Sequence, residues 1–424
     1  MSQRRCQFWQ EYQSIGGPIC YCEVEAFGRV VSPEGLKAAG CTLEKRSECL
    51  KLMESTTGAG RVPSNLPAAG PAGAGRGPGV ALPPIPAAAP APSVITTIAC
   101  DAPPQVATNI VGVAEKKARL QTLSIVVLGI LAGAYIAFGA ELSTVVTGDL
   151  QRYLGDGITR LVAGLAFSVG LILVVVGGAE LFTGNNLMIT GVLQGKVSGG
   201  QLLRNWVIVY LANFAGSLLL VYIMYETGIW KTGAAAVGAR AVLVANGKVG
   251  LTWGEAFARG ILCNWLVCLA VWLAAAGRDG VSKIMGIVFP ITAFVASGFE
   301  HSVANMYFIP MGIIIKSHPA VLQAVAASLK LADDPASAAA LAAAAAQLGN
   351  LTWSGFFLRN LMPVTLGNIV GGAGFVGCVY WVAYLSQARR AEMAASRAER
   401  RSRLPAALPA AQKVSARSFP PSAD

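Results

Sequence analysis

Six stretches of this sequence are too apolar and too long to be ordinary soluble elements: residues 123–146, 158–193, 203–225, 256–276, 284–315 and 357–385. A membrane-crossing helix needs roughly 20 apolar residues, so four of them fit one crossing each and two are too long for one straight helix. Both long stretches carry polar residues near the middle: Glu180, Thr183, Gly184, Asn185 and Asn186 in one, and Gly298, Glu300, His301, Ser302 and Asn305 in the other. Irregular backbone at membrane depth is tolerated only where protein covers it or where it lines a cavity. The reading is an all-α membrane protein with six transmembrane helices, two of them broken. Charged residues make up only 13% of the chain, about half the usual quarter, which excludes an ordinary cytosolic enzyme.

The remaining charge is arranged around the spans. The net charge of +11 is densest in residues 389–424, where Arg389, Arg390, Arg397, Arg400, Arg401 and Arg403 follow the last apolar stretch. That is a juxtamembrane basic tail rather than a nucleic-acid footprint. With both termini inside, thirteen Lys and Arg flank the inner ends of the spans, Lys116, Lys117 and Arg119 among them, against six in the outer loops. This bias places both termini in the cytoplasm. Whether the membrane is the plasma membrane or a plastid envelope is left open. Residues 1–112 form an extension of mixed charge followed by an Ala/Pro/Gly-rich run, expected to be disordered, as is the tail. The membrane domain is expected over 113–388. Nine cysteines, with only Cys20 and Cys22 close together, match no disulfide framework and no metal spacing.

The halves of the domain repeat. Gly129-Ile130-Leu131 is echoed by Gly260-Ile261-Leu262, Gly178-Ala179-Glu180 by Gly298-Phe299-Glu300, and Asn213 with Gly216 by Asn368 with Gly371. Order is preserved over three spans in each half, about 120–226 and 252–388. An odd number of spans inverts the second copy, and matched breaks in inverted repeats point to a transport site near the midplane. Residues 316–353, with an Ala-rich run, read as an outer insertion, either a surface helix or disordered.

One of the chain's two histidines, His301, lies inside an apolar stretch. An ionisable group there is a functional candidate, and an imidazole in a narrow apolar pore could donate a hydrogen bond to an anion or lend it a proton. Glu180 and Glu300 open the two breaks, and their carboxylates suit the backbone N–H groups freed there. Asn213, Asn264 and Asn368 suit hydrogen bonds between helices or, for Asn264 and Asn368, a pore-facing amide.

At Ala179-Glu180-Leu181-Phe182-Thr183-Gly184-Asn185, Gly298 to Met306 and Asn360 to Asn368, with the passages around Asn205 and Gly260, the chain resembles the formate/nitrite transporter family. The resemblance covers about residues 113–388. The long extension is similar to that of eukaryotic, algal-like members. It implies a homopentamer of aquaporin-like protomers, each with its own pore for small monovalent anions such as formate, nitrite, lactate, hydrosulfide or bicarbonate, with protons as co-substrate, membrane lipid around it and no cofactor. By matched position it makes His301 the central pore histidine facing Thr183, with Asn264 as polar neighbour and Glu300 and Asn368 beside them. Phe167, Leu171 and Phe294 match an outer apolar constriction, Leu181 with Phe182 and Val267 an inner one, and Lys248 a lysine near the outer mouth. Three rival readings stand beside this one. An intramembrane hydrolase using Glu300 and His301 lacks a His-Glu-x-x-His motif. A neutral-solute channel of the aquaporin kind would want Asn-Pro-Ala at the breaks. A sensor would place activity in the extension.

Overall fold

The computed structural model describes residues 9–14, 17–22 and 100–403, and the chain divides into two units, Met1–Pro92 and Ser93–Asp424. In the first, β1 (Trp9–Ser14) pairs antiparallel with β2 (Gly17–Cys22), Trp9 opposite Cys22 and Ser14 opposite Gly17. This hairpin is a departure from the expectation of a wholly disordered extension. The disorder expected of residues 23–99 and 404–424 lies outside the described residues.

The second unit is helical. Helix α1 (Pro103–Ala118) begins ten residues before the expected domain boundary. Its prolines are not marks of disorder: they occupy the first helical turn, where a missing N–H costs nothing. Val106, Ile110 and Ala114 are buried at helical spacing and tie α1 into the bundle.

The first repeat comprises α2 (Thr122–Val146), α3 (Gln151–Gly177), a break, a 3₁₀ turn (Gly184–Met188) with α4 (Ile189–Leu193), and α5 (Gly199–Thr227). Helix α6 (Thr232–Val249) joins it to the second repeat. That repeat comprises α7 (Trp253–Ala276), α8 (Gly280–Ala296), a break, α9 (Ser302–Ile315), and α12 over Gly355–Tyr384, beyond the insertion. Helices α2, α3, α5, α7 and α12 are long and apolar enough to cross a membrane. The sixth expected crossing is split between α8 and α9, which are individually too short. Capping boxes start α5 at Ser198–Gln201 and α7 at Thr252–Glu255.

Packing follows the repeat: α2 lies against α3 and α5 as α7 lies against α8 and α12. The matched tripeptides mark helix crossings. A Cβ at Gly216 would stand 1.9 Å from the Ile130 carbonyl oxygen, and one at Gly371 would stand 2.1 Å from that of Ile261. Only glycine permits either approach.

The 316–353 insertion is folded. Helix α10 (Pro319–Ser328) turns back from α9 by 109°, and α11 (Ala338–Gln347) packs on it. Val321 and Val325 are fully buried, Val321 over Gly238 of α6, and the Trp230 and His318 rings meet edge to face at 4.7 Å. Enough apolar side chains are spaced within the Ala-rich run to bury one face, as Ala340 and Ala344 do. The tail also departs from expectation, continuing as α13 (Ser386–Arg403).

Candidate functional site

Both breaks are built the same way. Gly178 and Gly298 end α3 and α8 in the left-handed region, at φ +78° and +75°. The following amides, Ala179 and Phe299, reach back to Val174 and Phe294 oxygens at 2.9 and 3.0 Å, the Schellman closure that a C-terminal glycine permits. Next, the Glu180 and Glu300 amides each donate to a carbonyl of the neighbouring helix, Leu128 and Arg259, both at 3.2 Å.

Two asparagines brace these turns. Asn213 Nδ2 donates to the Gly129 and Glu180 carbonyls at 2.8 and 2.9 Å while its Oδ1 accepts from Phe182 N at 2.9 Å. Asn368 makes the equivalent bonds to Gly260 O, Glu300 O and Ser302 N at 2.8, 3.0 and 2.9 Å. Backbone groups that the break would orphan are thereby satisfied. Asn368, expected to serve the pore, is fully buried and committed to this brace. Asn264 is likewise buried, and its Nδ2 donates to Thr183 O, Asn186 Oδ1 and Asn368 O at 3.2, 2.9 and 2.7 Å. It ties the first break to the asparagine that braces the second.

The carboxylates are doubled too. Glu300 accepts from Lys248 Nζ at 3.0 Å and from Asn305 Nδ2 at 2.7 Å, and Asn305 also donates to Asn360 Oδ1 at 2.6 Å. Glu180 accepts from Lys117 Nζ at 2.6 Å and from Asn185 Nδ2 at 2.7 Å, and Asn185 also donates to Asn205 Oδ1 at 2.8 Å. Lys117, counted from sequence only as part of a basic flank, is the counterpart of Lys248. Nothing in the repeat announced it, because it lies on α1, outside both copies.

Each pair borders a cavity. One, of about 330 Å³, is lined by Lys117, Glu180, Asn185, Leu181 and Leu171; the other, of about 440 Å³ on the α6 side, by Lys248, Glu300, His301, Phe167 and Phe294. Phe167, Leu171, Leu181, Val267 and Phe294 are all 3% exposed or less and share one apolar cluster. Phe167 meets Phe294 edge to face at 5.6 Å and stacks on Phe308 at 6.3 Å, and Lys248 Nζ sits 5.2 Å from the Phe308 ring.

Three of the expected constriction residues lie away from the cavity on their expected side, and of these Val267 lines neither cavity. Leu171 lines the α1-side cavity rather than the α6-side one, because it stands one helical turn beyond Phe167, about 6 Å deeper. Phe182 points away from both cavities. It packs on Trp206 and Tyr210, at 6.0 and 4.8 Å, and lines a groove with Leu361 and Phe357.

At the centre, Thr183 Oγ1 and His301 Nε2 are 2.8 Å apart, both buried. His301 caps α9: its Nδ1 accepts from Ala304 N at 3.1 Å. An accepting Nδ1 carries no proton, so the neutral ring holds its proton on Nε2 and donates it to Thr183. The α6-side cavity therefore ends on one N–H donor set in an apolar wall, and the α1-side cavity stops short of it at Leu181 and Gly184, either side of Thr183 in the chain. A small anion has polar partners on either side and at this one point between them.

The family described as Formate/nitrite transporter matches residues 104–382. The chain is 46% identical over 290 residues to a "Probable formate transporter" of Methanothermobacter thermautotrophicus, covering 65% of this chain and 94% of that protein. It is 39% identical over 274 residues to the "Formate channel FocA" of Escherichia coli (strain K12), covering 64% and 90%. A solved "Pentameric formate channel with formate bound" superposes with a TM-score of 0.52 at 39% identity, covering 62% of this chain and 98% of that one.

Proposed function

The chain belongs to the formate/nitrite transporter family, and on that premise we propose that each protomer carries formate, or an anion of the same size and charge, between its two cavities past the Thr183–His301 pair. It is a multi-pass membrane protein that conducts small anions, not an enzyme, which removes the hydrolase reading. Because the solved relative is pentameric, a homopentamer of five separate pores is the assembly we propose. The basic flanks support cytoplasmic termini and an α6 face turned outward.

The observation that carries the reading is the single N–H donor of His301, which lines the α6-side cavity with Phe167 and Phe294 and bonds Thr183, whose chain neighbours Leu181 and Gly184 line the α1-side cavity with Leu171. A bare anion crossing that wall loses its hydration for one or two hydrogen bonds, which is costly. A weak acid that takes up a proton on the way crosses as a neutral molecule. Lys248 and Lys117 raise the local anion concentration at either mouth, and His301 donates to the carboxylate oxygen while it passes. Since Nδ1 is engaged by Ala304, the proton accompanying the anion comes from the aqueous side rather than from this ring.

The test is formate uptake by the full-length protein in liposomes across pH 5 to 8, with proton flux followed by an internal pH dye. Uptake is expected to rise as pH falls and to carry one proton per formate. Formate entry with no accompanying acidification of the liposome lumen would overturn the proton-coupled part. Absence of formate flux at every pH would overturn the substrate.

A further inference from the structure

The α6-side cavity holds four cationic side chains, Arg160, Arg240, Lys248 and Arg259, and two carboxylates, Asp156 and Glu300. The carboxylates are taken: Glu300 by Lys248 at 3.0 Å, and Asp156 by Arg160, its Oδ2 lying 2.7 Å from Arg160 Nε. Arg240 and Arg259 are left without an ion-pair partner among the described residues. Arg240 Nε is buried and donates to nothing among them. Arg259 spends one N–H on the Gly298 carbonyl at 3.4 Å, a long bond. The position a Cβ would take on Gly298 lies 3.7 Å from Arg160 Nη1 and 4.0 Å from Arg259 Nη1. Gly298 thus leaves a slot into which two guanidinium groups reach. Burial lowers the proton affinity of Arg240, Asp156 raises it and Arg160 lowers it further, so Arg240 feels both neighbours.

We propose that Arg240 and Arg259, with Arg160 beside them, form an anion-binding station in the α6-side mouth, ahead of Lys248, for a small anion with two oxygens in one plane. Three like charges along one wall repel one another, and a buried guanidinium N–H without an acceptor is costly. One carboxylate-shaped anion relieves both. The planar guanidinium fork favours a two-oxygen acceptor over a spherical ion of the same charge. Asp156 already shows the geometry, since it places a carboxylate on Arg160, and it competes with the arriving anion for that group. The α1-side cavity has no such cluster among its lining residues; its cations are Lys117 and Lys283. The station is therefore one-sided.

This inference rests on the anion-transport reading, and its test separates the two. Full-length protein is reconstituted with defined orientation, and initial formate uptake is measured from each face. The double variant Arg240→Gln, Arg259→Gln is expected to raise KM at the α6 face about tenfold, as loss of charge-assisted bonds implies, with Vmax near wild type and KM at the opposite face unchanged. Asp156→Asn, which removes the competitor, lowers KM at the α6 face. The Lys pair Arg240→Lys, Arg259→Lys restores charge without the fork and gives an intermediate KM. An unchanged KM, an equal rise at both faces, or a fall in Vmax alone overturns the station. If wild-type protein carries no formate, the transport reading fails. The station is then decided by thermal unfolding of the detergent-solubilised chain: a formate-dependent rise in Tm that the Gln pair loses supports it, and a rise equal in both proteins overturns it.

Discussion

Thr183 Oγ1 lies 2.8 Å from His301 Nε2 although 118 residues separate them. One side chain comes from each repeat, so the bond exists only when the two breaks meet. Thr183→Val removes the acceptor and keeps the shape. The buried Nε2–H is then unsatisfied, at a cost of about 1–3 kcal/mol. Thermal unfolding in detergent should show that loss, and formate uptake should fall, whereas Thr183→Ser should retain most of both.

His301 also holds the first turn of α9 through its Nδ1. His301→Asn can still cap the helix, since asparagine is a favoured N-cap, but it cannot present the same N–H at the Thr183 position. Stability should stay within about 1 kcal/mol of wild type while formate uptake falls at every pH and keeps the shape of its pH profile. An unaltered uptake rate would remove the imidazole from the transport step.

The two lysine–glutamate pairs call for a paired experiment. Lys117 and Lys248 are 23% and 14% exposed, and both carboxylates are 5% exposed. Glu180→Gln or Glu300→Gln leaves a half-buried ammonium without its counter-charge, costing about 2 kcal/mol after allowance for water at the lysine. Double-mutant cycles with Lys→Met should recover part of that loss, and they should do so equally in the two pairs. Apparent affinity for formate should fall in Lys248→Met and become less sensitive to salt.

Asn213→Leu and Asn368→Leu each remove three hydrogen bonds and orphan the carbonyl of Glu180 or Glu300 and the amide of Phe182 or Ser302. Each should cost at least 3 kcal/mol or prevent folding. If either variant matched wild type in thermal unfolding and uptake, the brace would not be what holds its break.

Gly216→Ala and Gly371→Ala put a methyl group at about 2 Å from a carbonyl oxygen of the facing helix. The helices must separate, and both variants should lose stability and transport together. Gly374, where a Cβ meets nothing within 4 Å, serves as the control on the same helix and should tolerate alanine.

Much of this arrangement could be read in the residues. Gly178 and Gly298, Asn213 and Asn368, and Glu180 and Glu300 recur at matched places, and each pair proves to do the same job. The breaks were legible because polar residues interrupt apolar runs. Lys117 was not, because its partner lies 63 residues away and two prolines make the start of α1 look unstructured. Leu181 and Phe182 match the same constriction by position, yet at the turn that opens the 3₁₀ segment one faces a cavity and the other a groove of α5 and α12. The sequence does not mark Arg240 and Arg259 as a pair. Helix α6 is built from small residues of modest hydropathy and reads as a loop, and Arg259 sits near the start of a span, where a charge draws no attention.

Because the two breaks are held by equivalent glycines, asparagines and carboxylates, the middle of the pore is nearly the same object seen from either end. Nothing in such a centre favours one direction of passage over the other. Threonine on one flank and imidazole on the other are its main inequality, and both are tied in a single bond. Net flow in one direction must then be dictated by the concentrations and proton activities on the two sides, with the mouths setting how readily each reservoir is sampled.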